Sequence, residues 1–492
     1  MESLGIALAY GDVRLKTGYS ELMPDSIDIE SKFSKKIGLK IPIVSAAMDT
    51  VTENKMAIAV AKEGGLGIIH KNLSIEQQAS EVSKVKFHLN GFINKPICVS
   101  DEDTIEEILI KKIEKGYTFN SFPVLNFENK LIGLITKNDL DFCEDQNIKS
   151  KELMTQEIIT APVGTSIEQA YQLMKLHKKK ILPLVHQNGL LAGIFVFSDV
   201  KRIKFGSHAN YNIDENGQLR VGAAIGVGKE AIDRAIKLIE KGADVIVIDT
   251  AHGDSKPVFD TLLELKRNFY NIDIVVGNVS EPRSVERLIV AGADGIKIGQ
   301  GPGSICTTRI IAGVGTPQVT AIYNAGKAAK GSGVPICADG GLTYSGDIAI
   351  AIGAGAHSVM MGSMIAGTDE SPGDLVFWQN RQWKGYRGMG SLKAMETNKG
   401  SRERYGQQKT GKDEIVPEGI EGLVPYKGNL HGAMIQYIGG LKRGMGYVGA
   451  KNIEDMREIS DFYRITNAGQ KESHPHNIEI THQAPNYSPD NN

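Results

Sequence analysis

Val221-Gly222-Ala223-Ala224-Ile225, then Lys229–Lys241, then Val245-Ile246-Val247-Ile248-Asp249, reads as a strand, a helix and a second strand. Within Lys229–Lys241 the apolar residues stand at Ala231, Ile232, Ala235, Ile236, Leu238 and Ile239, the spacing of one buried helix face. The flanking runs are apolar throughout instead of alternating, so each strand is expected to bury both faces. Strands of that kind lie parallel under a cover of helices, because a parallel pair needs a crossover and the helix supplies it.

The same unit recurs in both directions. Apolar runs of strand length also occur at Ile41–Ala47, Leu66–His70, Ile274–Gly277, Gly295–Ile298, Ile336–Ala338 and Ser358–Gly362, making eight with the two above. Eight such units predict an α/β fold, a closed (β/α)8 TIM barrel. Residues able to do chemistry stand just after the strands: Asp49, His70, Asp249, Asn278, Gly299–Cys306, Asp339–Gly341, Gly362 and Ser363. The active site is therefore expected on the C-terminal face of the barrel.

Residues 93–205 break this rhythm and repeat internally. Phe122-Pro123-Val124-Leu125 matches Leu182-Pro183-Leu184-Val185, Gly133 matches Gly193 and Asp139 matches Asp199, all at an offset of sixty. The expected layout is a catalytic barrel built from 1–92 and 206–492, with a separate domain of two repeats, about 93–149 and 153–205, between the second and third strands.

Composition narrows the function classes. Charged residues make up 23% of the 492 residues and the net charge is −2, which gives no field for nucleic acid. Lys178-Lys179-Lys180 reads as a solvated helix face. Cys98, Cys143, Cys306 and Cys337 show neither paired spacing nor a metal-ligand cluster, which favours a reducing compartment. Met1-Glu2-Ser3-Leu4 does not open a signal peptide, and no apolar run has the length of a membrane span. A soluble cytoplasmic protein is expected.

One cysteine has an unusual setting. In Gly299-Gln300-Gly301-Pro302-Gly303-Ser304-Ile305-Cys306-Thr307-Thr308-Arg309 it follows three glycines that open the backbone, with hydroxyls and a guanidinium just beyond. A thiol on such a loop is accessible, so Cys306 reads as a nucleophile beside an anion site, and the other three cysteines as packing residues. Ala338-Asp339-Gly340-Gly341 and Met361-Gly362-Ser363 have the form of phosphate-gripping turns after strands seven and eight. Asp339 would repel phosphate and is assigned to sugar hydroxyls. Gly226-Val227-Gly228-Lys229-Glu230-Ala231 has the shape of a dinucleotide fingerprint, but no second Rossmann half is visible and it is rejected as the cofactor site. Residues 391–428, glycine-rich and charged, have no convincing hydrophobic period and read as a mobile segment.

The cysteine loop closely resembles the active-site loop of the inosine monophosphate dehydrogenase family, and the likeness extends over nearly the whole chain. It implies oxidation of inosine monophosphate (IMP) to xanthosine monophosphate by NAD, through a covalent cysteine thioimidate, as a step of guanine nucleotide biosynthesis. By resemblance, Ser304, Asp339, Gly340, Gly341, Gly362, Ser363 and the run Tyr386, Arg387, Gly388, Met389, Gly390 hold IMP, with Met389 on the base. Asp249, Asn278, Gly299, Gln300 and Gly301 are implied for NAD, and Tyr447 for a neighbour's cofactor adenosine. Arg404 and Tyr405 match the family's flap dyad, which closes once reduced cofactor leaves, and Pro417-Glu418-Gly419 its next landmark. Glu418 is implied both for substrate and, with Thr308, for a second proton route. A potassium site is implied at the carbonyls of Gly301, Gly303 and Cys306, completed by Glu472, Ser473 and His474 of the adjacent subunit in a homotetramer. Gln300 and Leu423 depart from the common pattern, and the segment between Met395 and Arg404 is slightly long.

The inserted repeat resembles a tandem cystathionine-β-synthase-type (CBS) module, a class that often binds adenine nucleotides. The first repeat has the ribose-holding pattern Thr136-Lys137-Asn138-Asp139, whereas the second has Val196-Phe197-Ser198-Asp199 without the threonine. An adenine or guanine nucleotide there, and a plain insertion with lost ligands, stay open. Two further function classes are weighed. Guanosine monophosphate reductase shares the barrel and the cysteine, and the insert with Arg404-Tyr405 counts against it. A nonenzymatic nucleotide sensor conflicts with the intact cysteine loop.

Overall fold

Eight short parallel strands close into a barrel: β1 (Ile43–Ser45), β2 (Leu66–Ile69), β3 (Val221–Ile225), β4 (Val245–Asp249), β5 (Asp273–Val279), β6 (Gly295–Ile298), β7 (Ile336–Asp339) and β8 (Ser358–Met361). All eight apolar runs read from the sequence are these strands. The structure, a computed structural model, describes residues 5–487 apart from 90, 94–95, 116–118, 206–209 and 483. Met1–Leu4 and the expected boundary at 206 lie outside the described residues.

Each residue of β3, β4 and β5 is buried, which is why these runs carry no polar alternation. Closure is made where β8 pairs with β1, Val359 opposite Ile43 and Met361 opposite Ser45. The outer helices are α1 (Asn54–Lys62), α2 (Ile75–Lys86), α3 (Lys229–Glu240), α4 (Lys256–Asn268), α5 (Pro282–Val290), α6 (Gln318–Ala329), α7 (Ser345–Gly353) and α8 (Leu430–Val448). In α3 the buried residues are Ala231, Ile232, Ala235 and Leu238, the stripe read from the sequence without Ile236 and Ile239. Phe33, Ile37 and Leu39, from a hairpin ahead of β1, pack with Val44, Leu66, Val245 and Val275 in one buried cluster. Gly67 lets α1 lie directly on β2: a Cβ there would stand 2.4 Å from the Ala57 Cα.

The chain divides into two compact units: one contains the barrel, and the other is Phe87–His208, beginning six residues before the expected 93. Within that second unit the two repeats pair alike. Pro123 faces Leu134 and Pro183 faces Ile194, and each hairpin shifts register at the matched positions, Val124/Leu125 and Leu184/Val185. The halves are not cut at 93, however. Phe92 and Ile93 pair with Phe195 and Ile194, so the start of the insert belongs to the sheet of the second repeat. In the first repeat the Asp139 carboxylate accepts from the Thr136 N–H at 2.7 Å and from its hydroxyl at 2.8 Å, at the start of the short helix Lys137–Asp141.

Residues 391–428 contain more structure than their composition suggests. Leu392–Thr397 and Lys399–Arg404 are short helices, and Glu421–Pro425 is the third strand of a sheet with Leu375–Trp378 and Arg381–Arg387. Polar contacts hold much of this segment, so no hydrophobic period announces it. The Arg402 Nε donates to the Met395 carbonyl at 2.7 Å, and Asn72 reaches Ser401 at 2.9 Å.

Candidate active site

The loops at the C-terminal ends of the strands meet around a cavity of about 130 Å³. Cys306 stands on its wall between the β6 loop and residues 418–420. Its sulfur is 3.1 Å from Thr308 Oγ1 and 3.6 Å from the Glu418 carbonyl, and its N–H donates to the Gly303 carbonyl at 3.0 Å. The glycines are needed here. Gly299 and Gly301 have φ of +142° and +76°, and a Cβ at Gly301 would stand 2.6 Å from the Arg309 Cγ. Arg309 corrects the expectation of an anion-binding guanidinium. It donates to the carbonyls of Gln300 at 3.0 Å and Thr316 at 2.6 Å, so it shapes the loop from behind.

Lining the same cavity are Asp339 at the end of β7, Gly340 and Gly341 just after it, and Gly362 and Ser363 after β8. Gly340 and Gly341 have φ of +90° and +82°. Tyr386, Gly388 and Met389 line the cavity as well, but Arg387 and Gly390 do not. The Arg387 guanidinium is taken up by Asp49, with contacts of 3.1 and 2.7 Å, and Gly390 backs the ring of Tyr405. Burial pushes the Tyr386 phenol well above its ordinary pKa, so it stays a neutral donor.

The floor is a charge cluster centred on a residue that sequence reasoning missed. Lys297, in β6, is 2% exposed; its ammonium lies 2.9 Å from Asp249 and 2.7 Å from Asp339, and also bonds Asn278. A buried ammonium needs such counter-charges. Asn278 in turn donates to Asp339 at 2.9 Å and to the Gly299 carbonyl at 2.6 Å. The signal was present as the one charged residue inside the apolar run Gly295–Ile298. Gln300 ties three loops together, accepting from Ser280 at 2.7 Å and donating to the Ala251 carbonyl at 3.1 Å.

Arg404, Tyr405 and Glu418 form the remaining wall. The Arg404 guanidinium pairs with Asp249, and its carbonyl accepts from Ala251 N–H at 3.0 Å. Burial raises the Tyr405 phenol above its ordinary pKa. Asp249 is 1% exposed, with its Oδ1 beside the Lys297 ammonium and its Oδ2 beside the Arg404 guanidinium. A buried carboxylate on the cavity wall has the chemistry to accept from the sugar hydroxyls of a dinucleotide, so these residues fit NAD. Tyr447 is 65% exposed on α8 and does not line the cavity. Neither do Glu472, Ser473 and His474, which end the helix Asn467–Glu472, with His474 against Tyr344 and Tyr487. The described residues hold no group of three or more His, Cys, Asp or Glu able to bind a metal.

A family model for the IMP dehydrogenase / GMP reductase domain matches residues 7–476. The chain belongs to this family. An inosine-5'-monophosphate dehydrogenase of Aquifex aeolicus is 49% identical over 98% of this chain and 97% of its own length. Those of Halalkalibacterium halodurans and Staphylococcus aureus are 47% and 48% identical, each over 98% of both chains. Among solved structures, a cysteine-to-alanine variant of GMP reductase from Trypanosoma brucei, in complex with guanosine 5'-monophosphate, superposes with a TM-score of 0.84 at 38% identity, covering 97% of this chain and 99% of that one. Among the described residues no helix is long and apolar enough to cross a membrane.

Proposed function

We propose that this chain is an IMP dehydrogenase that oxidises IMP to xanthosine monophosphate with NAD, in guanine nucleotide biosynthesis. One observation carries the reading. The thiol of Cys306 lines one cavity with the glycine turns at Gly340–Gly341 and Gly362, on a frame 47–49% identical to proteins of that name. The insert does not separate the reductase reading, because the T. brucei reductase covers 97% of this chain. The higher identity to the dehydrogenases favours oxidation.

In this reading the glycine backbone and Ser363 take the phosphate, Asp339 takes the ribose hydroxyls, and Met389 lies against the base. Lys297 fixes the Asp339 carboxylate in place. The Cys306 thiolate adds to the electron-poor purine C2 and makes it tetrahedral, splitting one hard step into two. NAD, when bound, accepts the hydride that leaves C2. The cofactor ribose and Arg404 would call on the same carboxylate, Asp249, so Arg404 takes that place once reduced cofactor has left. Water then attacks C2, the C–S bond breaks, and the thiolate is regenerated. Arg404, on the wall of the cavity, orients the attacking water. Thr308, beside the sulfur, and Glu418 offer a second proton route. Incubation with IMP and NAD should raise reduced-cofactor absorbance. Consumption of reduced cofactor with guanosine monophosphate instead would make the chain a reductase, and neither signal would leave a sensor.

We also propose that assembly completes the site. Carbonyls of the Cys306 loop would meet Glu472, Ser473 and His474 of an adjacent subunit around potassium, since carbonyl oxygens can replace its hydration shell. Tyr447 would reach a neighbour's cofactor. Truncation before Glu472 is expected to impair potassium activation more than IMP affinity. Equal rates for the intact protein in potassium and sodium, at matched ionic strength, would rule this out.

A further inference from the structure

The ion pair between Lys71 and Glu403 has no part in the chemistry above. Lys71 comes two residues after β2, and its side chain is 1% exposed. An ammonium with so little water needs a counter-charge, and the Glu403 Oε2 lies 3.2 Å from its Nζ. The other oxygen of that carboxylate, Oε1, accepts from the Val227 N–H at 3.0 Å. Nearby cations are engaged elsewhere: Lys399 with Glu230, and Arg234 with the Leu73 carbonyl and Gln78.

The seat is shaped for this carboxylate. Val227 lies in Gly226-Val227-Gly228, the turn after β3, and a Cβ at Gly226 would stand 2.0 Å from Glu403 Oε1. Only glycine leaves the space, and a φ of +79° at Gly228 is again glycine's. The turn that resembles a dinucleotide fingerprint thus holds a side chain of the protein itself. Glu403 directly precedes Arg404, which pairs with Asp249. One carboxylate is therefore tied to the loops after β2 and β3, and its chain neighbour is tied to β4.

We propose that Glu403 is a positioning residue: seated on the Lys71 ammonium and the Val227 N–H, it holds Arg404 against Asp249 for hydrolysis, and it leaves that seat when NAD takes Asp249. The proposal rests on the dehydrogenase reading.

The test mixes the full-length protein rapidly with IMP and NAD and follows reduced-cofactor absorbance through the first turnover and the steady state. Glu403→Gln keeps an acceptor for Val227 and loses the charge. Lys71→Met removes the counter-charge instead. Each is expected to lower kcat about tenfold, as loss of a charge-assisted contact would. The first-turnover rate should stay within about twofold, and KM for NAD should fall because the competing segment is held less firmly. The double variant should be no worse than the poorer single, since the two groups act as one contact. Wild-type kcat and KM in Glu403→Gln, fully additive losses in the double variant, or a first turnover that slows in step with kcat would each overturn the proposal. A wild-type protein that reduces no NAD with IMP would instead defeat the dehydrogenase reading, and the positioning role with it.

Discussion

Cys306→Ala is expected to abolish steady-state turnover and leave IMP bound. In the proposed mechanism the sulfur is the protein atom that bonds to C2, so its removal deletes the covalent route. Removal of a covalent nucleophile costs roughly four orders of magnitude or more in kcat. The pocket should survive the change. Arg309 and the glycine turns set the loop's shape from behind, and the polar contacts of the Cys306 sulfur are to Thr308 and the Glu418 carbonyl. Calorimetric titration should therefore return an IMP dissociation constant within about threefold of wild type, the size of one modest lost contact. Appreciable steady-state NAD reduction by this variant would remove Cys306 as nucleophile. Loss of IMP binding with an unfolded loop would remove the claim that the loop is shaped independently of the thiol.

Arg404→Ala should separate the two chemical steps. Hydrolysis is expected to slow by about 10²–10³-fold, the range in which a positioned proton-transfer or orienting group acts. In the proposed reading hydride transfer should be nearly unaffected, because Arg404, which pairs with Asp249, would compete with the cofactor for that carboxylate and take no part in that step. Rapid mixing should then show a full burst of reduced cofactor, and intact mass should show the cysteine adduct accumulating. Asp249 keeps Lys297 at 2.9 Å, so the floor of the site should hold its geometry without the guanidinium. A burst that disappears while adduct hydrolysis stays fast would assign Arg404 to the first step.

The barrel was legible because its strands are buried on both faces: Val245–Asp249 can be little else than an interior parallel strand. The glycine turns and Cys306 were legible because flexible backbone next to a thiol is unusual. What could not be read is pairing between distant residues. Lys297 looks like a surface interruption of a strand until Asp249, Asn278 and Asp339 are seen around it. Glu403 looks like one charge among many in 391–428, and its seat is seen only once Lys71 and Val227, 332 and 176 residues away in sequence, are found against it. Arg309 misled in the other direction, since a guanidinium after hydroxyls suggests an anion site and this one binds carbonyls. The start of the insert misled because strand exchange, Phe92 with Phe195, leaves no mark in the repeat.

The central claim is that hydride leaves IMP only after Cys306 has bonded to C2. The direct measurement is an acid quench of the wild-type protein after mixing with isotopically labelled IMP and NAD, followed by digestion and location of the label. The label should be found on the peptide carrying Cys306, appearing at the rate of reduced cofactor and decaying at the steady-state rate. Reduced cofactor forming with no label on the protein, or with the label on another residue, would contradict it.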